Sequence, residues 1–425
     1  MKIRIISKIG LALAAILSSL VLFEILLRLA TREPENLAKL RSSSLFLYEN
    51  KPNATFPYDR EGEYQNQITI NSYGFRDDEF NVEKGEGVWR IAVLGDSQEE
   101  ALQVELEDTW QKVMAGKLSE ELKVTLRQAQ AIGSEVAQVV QTLMSLQTQR
   151  ARRGDTEQSR SIKVESYNFG VSGYGTDQQW LTLREKVWNF TPDMVILAFS
   201  PNDVGDTYKN QLVRIVDGKI EVASHGERVG GNLLGRMVRE TYIYHFLAKV
   251  ASANRFTKSV VSTIRTEVLG FASDERFFLS DAQLAQGPFE VIASQENPPE
   301  EVSETWEVVR ALIADMKRQA EERGVQFLIT VNIPRTQVRW HDWDQLRNLY
   351  KLDPTTSSAY EINEVVSRMA FDLGINIHDP REEAIEWREE KGDLHYEGDA
   401  HFNENGHLFM GTKVAEFILA NELIK

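Results

Sequence analysis

A serine hydroxyl, an imidazole and a carboxylate suffice for covalent attack on a carbonyl. This chain of 425 residues carries all three in settings that could use them. Ser97 ends the run Ile91-Ala-Val-Leu-Gly-Asp-Ser97, which places a hydroxyl at a strand-to-helix corner, both exposed and held still. The same serine could serve as a helix N-cap. Near the C-terminus stand two Asp-x-His pairs of identical spacing, Asp393 with His395 and Asp399 with His401, the second just ahead of a helix expected from about Asn403. His395, His401 and His407 lie close together, so a zinc site is a further reading, although the spacing is not the i, i+4 pair of hydrolytic zinc helices. The chain has no cysteine, hence no thiolate nucleophile and no thiolate metal ligand.

Two further segments could serve an acyl-transfer site. Tyr167-Asn-Phe-Gly170-Val-Ser-Gly173-Tyr-Gly175 follows a strand and is rich in glycine, so its turn can expose backbone N–H groups to an oxyanion. Its glycine spacing is not that of a dinucleotide loop, and no acidic residue ends a following strand. Ser172 within it is a rival nucleophile, or simply part of a structural turn. In Ser200-Pro-Asn202-Asp203, Asn202 is either an ordinary turn residue or an amide donor to the same oxyanion.

These residues need a scaffold, and the apolar pattern supplies one. Arg90–Leu94, Val164–Phe169, Met194–Phe199 and Gln326–Ile333 read as strands buried on both faces, with Gly374–His378 a weaker fifth. Helical patterns cover Leu102–Lys117, Asp177–Trp188 and Val302–Arg323. Strands alternating with helices predict an α/β fold with a parallel sheet covered on both faces. Leu118–Arg152 adds an amphipathic helix or short coiled coil. The stretch from Gly205 to Pro299 reads as an insertion, a lid or a dimerisation element, that opens with a hairpin over Leu212–Val222 turning at Asp217-Gly218. Ile68–Arg76 reads as a short strand and turn, with Arg76 either facing an anionic group or, as the safer expectation, on the surface.

A hydrophobic content of 42% supports a sizeable core, and a formal net charge of -16 argues against a phosphate-binding surface and so against a nucleic-acid partner. At the N-terminus Lys2, Arg4 and Lys8 precede an uncharged run from Ile9 to Phe23. That run alone is short of the roughly 20 residues of a membrane span, and it also fits a signal-peptide core. Glu24 and Arg28, paired i, i+4, would extend it to about Ala30. No small-x-small cleavage site follows, so the expectation is an uncleaved single-pass signal anchor over residues 1–30, with the body exported to the periplasmic or extracellular side. Residues 31–88 read as a polar tether ending in packed loops.

Taken together, the blocks resemble the SGNH/GDSL family of serine esterases. Gly95-Asp96-Ser97 resembles the first block, Gly170 falls on the glycine of the second, Asn202 on the asparagine of the third, and Asp399 with His401 on the last. The resemblance implies a three-layer α/β/α, flavodoxin-like fold, with Ser97 as nucleophile and Asp399 and His401 completing the triad. It implies an oxyanion hole of the Ser97 and Gly170 N–H groups and the Asn202 side chain. Its order favours His401 over His395, because Asn403 and Gly406 follow at the family's usual offsets. The sequence departs from the family pattern at Gln98, at Ser200, and in an Asp-x-His rather than Asp-x-x-His last block. The domain expected from this would run over 89–204, with a helical extension at about 118–155. It would resume over 301–425 after an insertion at 205–300. The expected activity is hydrolysis of an ester-linked acyl group on a small molecule or polysaccharide, without metal or cofactor. Acyl transfer to or from an envelope polysaccharide, and a non-catalytic binding protein on the same fold, are the alternatives.

Overall fold

The computed structural model describes residues 2–31, 33–132, 163–223, 241–244, 246–247 and 289–424. They divide into two units, residues 1–56 with 224–278 and residues 57–223 with 279–425. In the first unit, α1 (Lys2–Ala30) precedes α2 (Glu35–Lys39) and the antiparallel pair β1 (Leu40–Ser43) and β2 (Leu47–Asn50). The expected Glu24–Arg28 pair forms at 2.8 Å, and the Glu24 carboxylate also accepts the backbone N–H groups of Tyr242 and Ile243 at 3.0 and 2.9 Å. Among the described residues no helix is long and apolar enough to cross a membrane, so the span expected over residues 1–30 finds no support here.

The second unit opens with the hairpin β3 (Thr55–Arg60) and β4 (Tyr64–Thr69). Two hairpins thus occupy much of the segment expected as a tether. There follow β5 (Val88–Leu94), the one-turn α3 (Ser97–Glu100), α4 (Trp110–Ile132), β6 (Lys163–Asn168), α5 (Thr176–Glu185), β7 (Met194–Phe199) and α6 (Asp203–Asn210). The hairpin β8 (Val213–Val216) and β9 (Lys219–Val222) comes next, then α7 (Phe289–Ala293) and α8 (Glu300–Glu322). The chain ends in β10 (Gln326–Val331), α9 (Arg335–Val338), α10 (Trp340–Tyr350), α11 (Glu361–Leu373), β11 (Asn376–His378), α12 (Arg381–Lys391) and α13 (Glu404–Ala420).

Five strands form one parallel sheet in the order β11-β10-β7-β5-β6. Alternation along each strand sends successive side chains to opposite faces. Ile91, Val93, Ile196, Ala198 and Leu328 pack with Trp110 and Met114 of α4 and with Phe409 and Val414 of α13. Their neighbours Ala92, Leu94, Val195, Leu197 and Phe199 are equally buried, and Phe199 stacks on Trp306 of α8 with centroids 6.2 Å apart. Helices α5 and α6 pack against α8 in that layer. The three-layer α/β/α arrangement is therefore observed. From β5 the chain first moves to β6 at one side and then to β7 at the other, so the strand order reverses between β5 and β7. The crevice beyond the carboxyl ends of two such strands is where open α/β sheets bind ligands. Ser97 follows β5 there, and Asn202 follows β7.

Local differences from the sequence expectation have local causes. Helix α4 begins at Trp110, not Leu102, because Ala101 takes a left-handed conformation (φ +53°) and Leu106–Asp108 forms a 3-10 turn. The β8–β9 hairpin turns where expected, with Asp217 and Gly218 both at positive φ (+48° and +72°), as a two-residue turn matched to strand twist requires. Residues 133–162 and most of 224–288 lie outside the described residues, and with them the rest of the expected coiled coil and lid.

Candidate active site

Leu94 ends the strand, Gly95 turns the chain, and α3 lasts one turn. The helix is capped from both ends of its sequence. Asp96 accepts the Gln98 N–H at 3.0 Å, and Glu99 reaches back to accept the Asp96 N–H at 3.0 Å, a reciprocal cap. At its other end the carbonyls of Glu100, Ala101 and Val104 all receive the guanidinium of Arg76. Arg76 is buried and not on the surface. A helix stopped by a left-handed residue leaves carbonyls without partners, and Arg76 supplies the donors. Burial pushes its pKa down to about 10, against the opposing charges of Glu100, Glu105 and Asp77.

His401 stands 304 residues away in sequence, yet its Nε2 lies 2.8 Å from the Ser97 Oγ. Its Nδ1 is hydrogen-bonded to Asp399 Oδ1, and its backbone N–H donates to the same oxygen at 3.0 Å. An ionised carboxylate only accepts, so Nδ1 carries the proton. Nε2 is left as a lone pair receiving the Ser97 O–H. Burial works against a charged Asp399, but the bonds from His401 and Tyr64 outweigh it and hold the carboxyl well below the usual carboxylate range. The Tyr64 hydroxyl donates to Asp399 Oδ2 at 2.9 Å and the Arg60 guanidinium lies 3.6 Å from the same oxygen. Tyr64 is stacked on Tyr58 (5.5 Å) and edge-on to Tyr396 (5.1 Å).

The rival pair is differently placed. His395 is buried and donates Nε2–H to the Ile333 carbonyl at 2.8 Å; burial takes its pKa down to about 3. Asp393 faces Arg388 and Arg339. His407 is also buried and accepts the Trp110 N–H at 3.3 Å. The three histidines thus do not converge, and among the described residues no group of side chains is arranged to hold a metal ion. Ser172 donates to Glu100 and has no imidazole beside it in that bond.

The second-block glycine behaves unlike the expectation. Asn168 Oδ1 accepts the Gly170 N–H at 2.9 Å, so that N–H is not free for an oxyanion. Gly170 is required for another reason. A Cβ there would overlap Glu99 Cβ and lie 2.9 Å from the Glu100 nitrogen and 3.0 Å from the Asp96 carbonyl oxygen, so glycine lets the β6 exit press against α3. Three residues on, Gly173 (φ +74°) sits in a turn closed by Tyr174 N–H to the Val171 carbonyl at 3.1 Å. Among the described residues its N–H donates to no protein group. Spacing alone could not tell which glycine of this loop presents an open N–H.

Asn202 is brought beside the serine turn through Asp96. Its amide donates to Asp96 Oδ2 at 2.7 Å and to Asp206 Oδ2 at 3.0 Å. Asp96 also accepts Ser200 Oγ at 3.0 Å. Glu99 accepts Trp110 Nε1 at 3.1 Å and Asn332 Nδ2 at 3.0 Å, and Asn332 also donates to Ser200 at 2.9 Å. A network therefore underlies Ser97 in which Asp96, Glu99, Ser200 and Asn332 are buried and Asn202 and Asp206 are half-buried. Burial, and then the charge of Asp96, push the Glu99 carboxyl upward, and burial does the same to Asp96. Such a network fixes the turn only while every member is partnered.

No protein-family model matches the sequence, and no curated protein matches it. The fold is similar to several solved structures. The acetyl xylan esterase AlAXEase is 12% identical over 78% of this chain and 98% of its own, with a TM-score of 0.36. TesA is 10% identical over 77% of this chain and 97% of its own, TM-score 0.34. A catalytic mutant of Axe2, an acetylxylan esterase from Geobacillus stearothermophilus, is 10% identical over 78% and 94%, TM-score 0.37. At these values the likeness carries no argument about this chain's site, whose chemistry rests on the geometry of Ser97, His401 and Asp399.

Proposed function

We propose that the chain is a serine-dependent ester hydrolase. The observation that carries this reading is the continuous relay from Ser97 Oγ to His401 Nε2 at 2.8 Å and from His401 Nδ1 to Asp399. His401 takes the serine proton as Oγ attacks the ester carbonyl, and Asp399 stabilises the imidazolium that forms. His401 then gives the proton to the departing alcohol. Water, activated by the same imidazole, releases the acyl group and restores Ser97. The Ser97 N–H, at the first position of α3, and the Gly173 N–H are the backbone donors left for the oxyanion. Asn202 joins them by exchanging its Asp206 acceptor for the developing charge. Each such donor is worth about 10²- to 10³-fold in kcat.

The test is hydrolysis of p-nitrophenyl esters by the full-length chain and by Ser97→Ala. The reading expects a loss of at least about 10⁴-fold in the variant; equal turnover by both proteins contradicts it. The membrane anchor also stands as a proposal. Its support is the exposed apolar side chains Leu11, Ile16, Leu17, Val21 and Leu29 on α1, with the body placed on the exported side. Retention of the full-length chain in the membrane pellet after alkaline extraction is expected, and its release into the supernatant would refute the anchor.

A further inference from the structure

A cleft of about 210 Å³ opens beside the serine turn. Its lining includes Gln98, the residue after Ser97, and Ala400, which stands between Asp399 and His401. Apolar side chains make up much of its lining, among them Val291 of α7, Ile333 after β10, and Trp343 and Leu346 of α10. None of the lining residues is charged. Several of its polar side chains are engaged with protein acceptors: Ser200 and Asn202 donate to Asp96, Asn332 to Glu99, Gln337 to the Ala359 carbonyl and Asn363, and Ser294 to the Val291 carbonyl. The α7 wall is fastened in place, since Glu296 N–H donates to the Thr356 carbonyl at 2.9 Å and Ser358 N–H to the Ser294 carbonyl at 3.2 Å.

The geometry points to this cleft as the binding site for the acyl chain of the ester, an unbranched aliphatic chain of about six to eight carbons rather than an acetyl group. The size follows from volume. An apolar cavity of about 150 Å³ accepts the six carbons of benzene, so about 210 Å³ holds roughly eight at the same density. The assignment rests on the ester-hydrolase reading of Ser97, and it fixes which side of the ester faces the α10 wall. Each methylene that moves from water into the cleft strengthens transition-state binding about fourfold.

The experiment measures kcat/KM of the full-length chain and of Leu346→Trp on p-nitrophenyl esters from acetate to dodecanoate. Ser97→Ala serves as the background. The wild-type chain should rise by about two orders of magnitude from butanoate to octanoate and climb no further beyond it. Leu346→Trp, which fills the cleft, should lower the octanoate-to-acetate ratio at least about tenfold. The wild-type profile decides the matter even where that variant fails to fold. Ser97-dependent activity that is flat with chain length, or highest on acetate, overturns the cleft assignment and leaves the ester reading intact. No Ser97-dependent turnover of any ester overturns both.

Discussion

Replacing Tyr64 by Phe removes one hydroxyl and leaves the rest of its surroundings in place. The ring keeps its stack on Tyr58 and its edge contact with Tyr396. Asp399 Oδ2 loses its 2.9 Å donor and retains only Arg60 at 3.6 Å, while Oδ1 keeps both bonds from His401. A hydrogen bond to a charged group is worth about 1.5–3 kcal/mol. Without it Asp399 carries its charge with one fewer partner, so its carboxyl moves back up toward the usual carboxylate range. The carboxylate also loses a positional restraint, for which a three- to tenfold fall in kcat at the plateau is expected, about 1 kcal/mol. The assay is a pH–rate profile of Tyr64→Phe beside the wild-type chain, with thermal melting to show that both are folded. Superimposable profiles with equal plateau rates would refute the positioning role of Tyr64.

Two further outcomes follow from packing and burial. Gly170→Ala drives a Cβ into Glu99 and the backbone of α3; the variant should lose at least about 3 kcal/mol of stability, and a wild-type denaturation midpoint would overturn the close approach described here. His378 is buried against Phe417 with its Nδ1 2.9 Å from Thr330 Oγ1, and burial takes its pKa down to about 3. It is neutral in the fold, and the unfolded chain takes up the proton first, so its contribution is present above about pH 6.5 and is lost as the pH falls toward 3. Between about pH 6 and 4 the wild-type chain should lose about 1.4 kcal/mol per pH unit more than His378→Gln; parallel stability curves would contradict this.

Much of the sheet was legible because its strands are buried on both faces. Met194–Phe199 forms β7 residue for residue, its six apolar side chains leaving no other element that could bury them all. The Asp217-Gly218 turn was legible from its chemistry, as two residues that tolerate positive φ. The Ser97, Asp399 and His401 set was readable from motif order, and the structure brings the three within hydrogen-bonding reach. What was hidden depends on distant chain. Tyr64 meets Asp399 across 335 positions, and nothing local marks it. Arg76 reads as a surface cation until the left-handed Ala101 is known, since only then do three carbonyls need it. Gly170 and Gly173 cannot be told apart by spacing, because what separates them is the Asn168 side chain that accepts one N–H and not the other.

The proposed nucleophile is Ser97, activated by His401. Labelling by a fluorophosphonate, followed by mass spectrometry of the digested full-length chain, reads this directly, since only an activated hydroxyl attacks the phosphorus at a useful rate. One adduct per chain on the peptide containing Ser97, absent in Ser97→Ala and slowed at least about 10³-fold in His401→Ala, is the predicted result. An unlabelled chain, or an adduct that persists in Ser97→Ala, would contradict it.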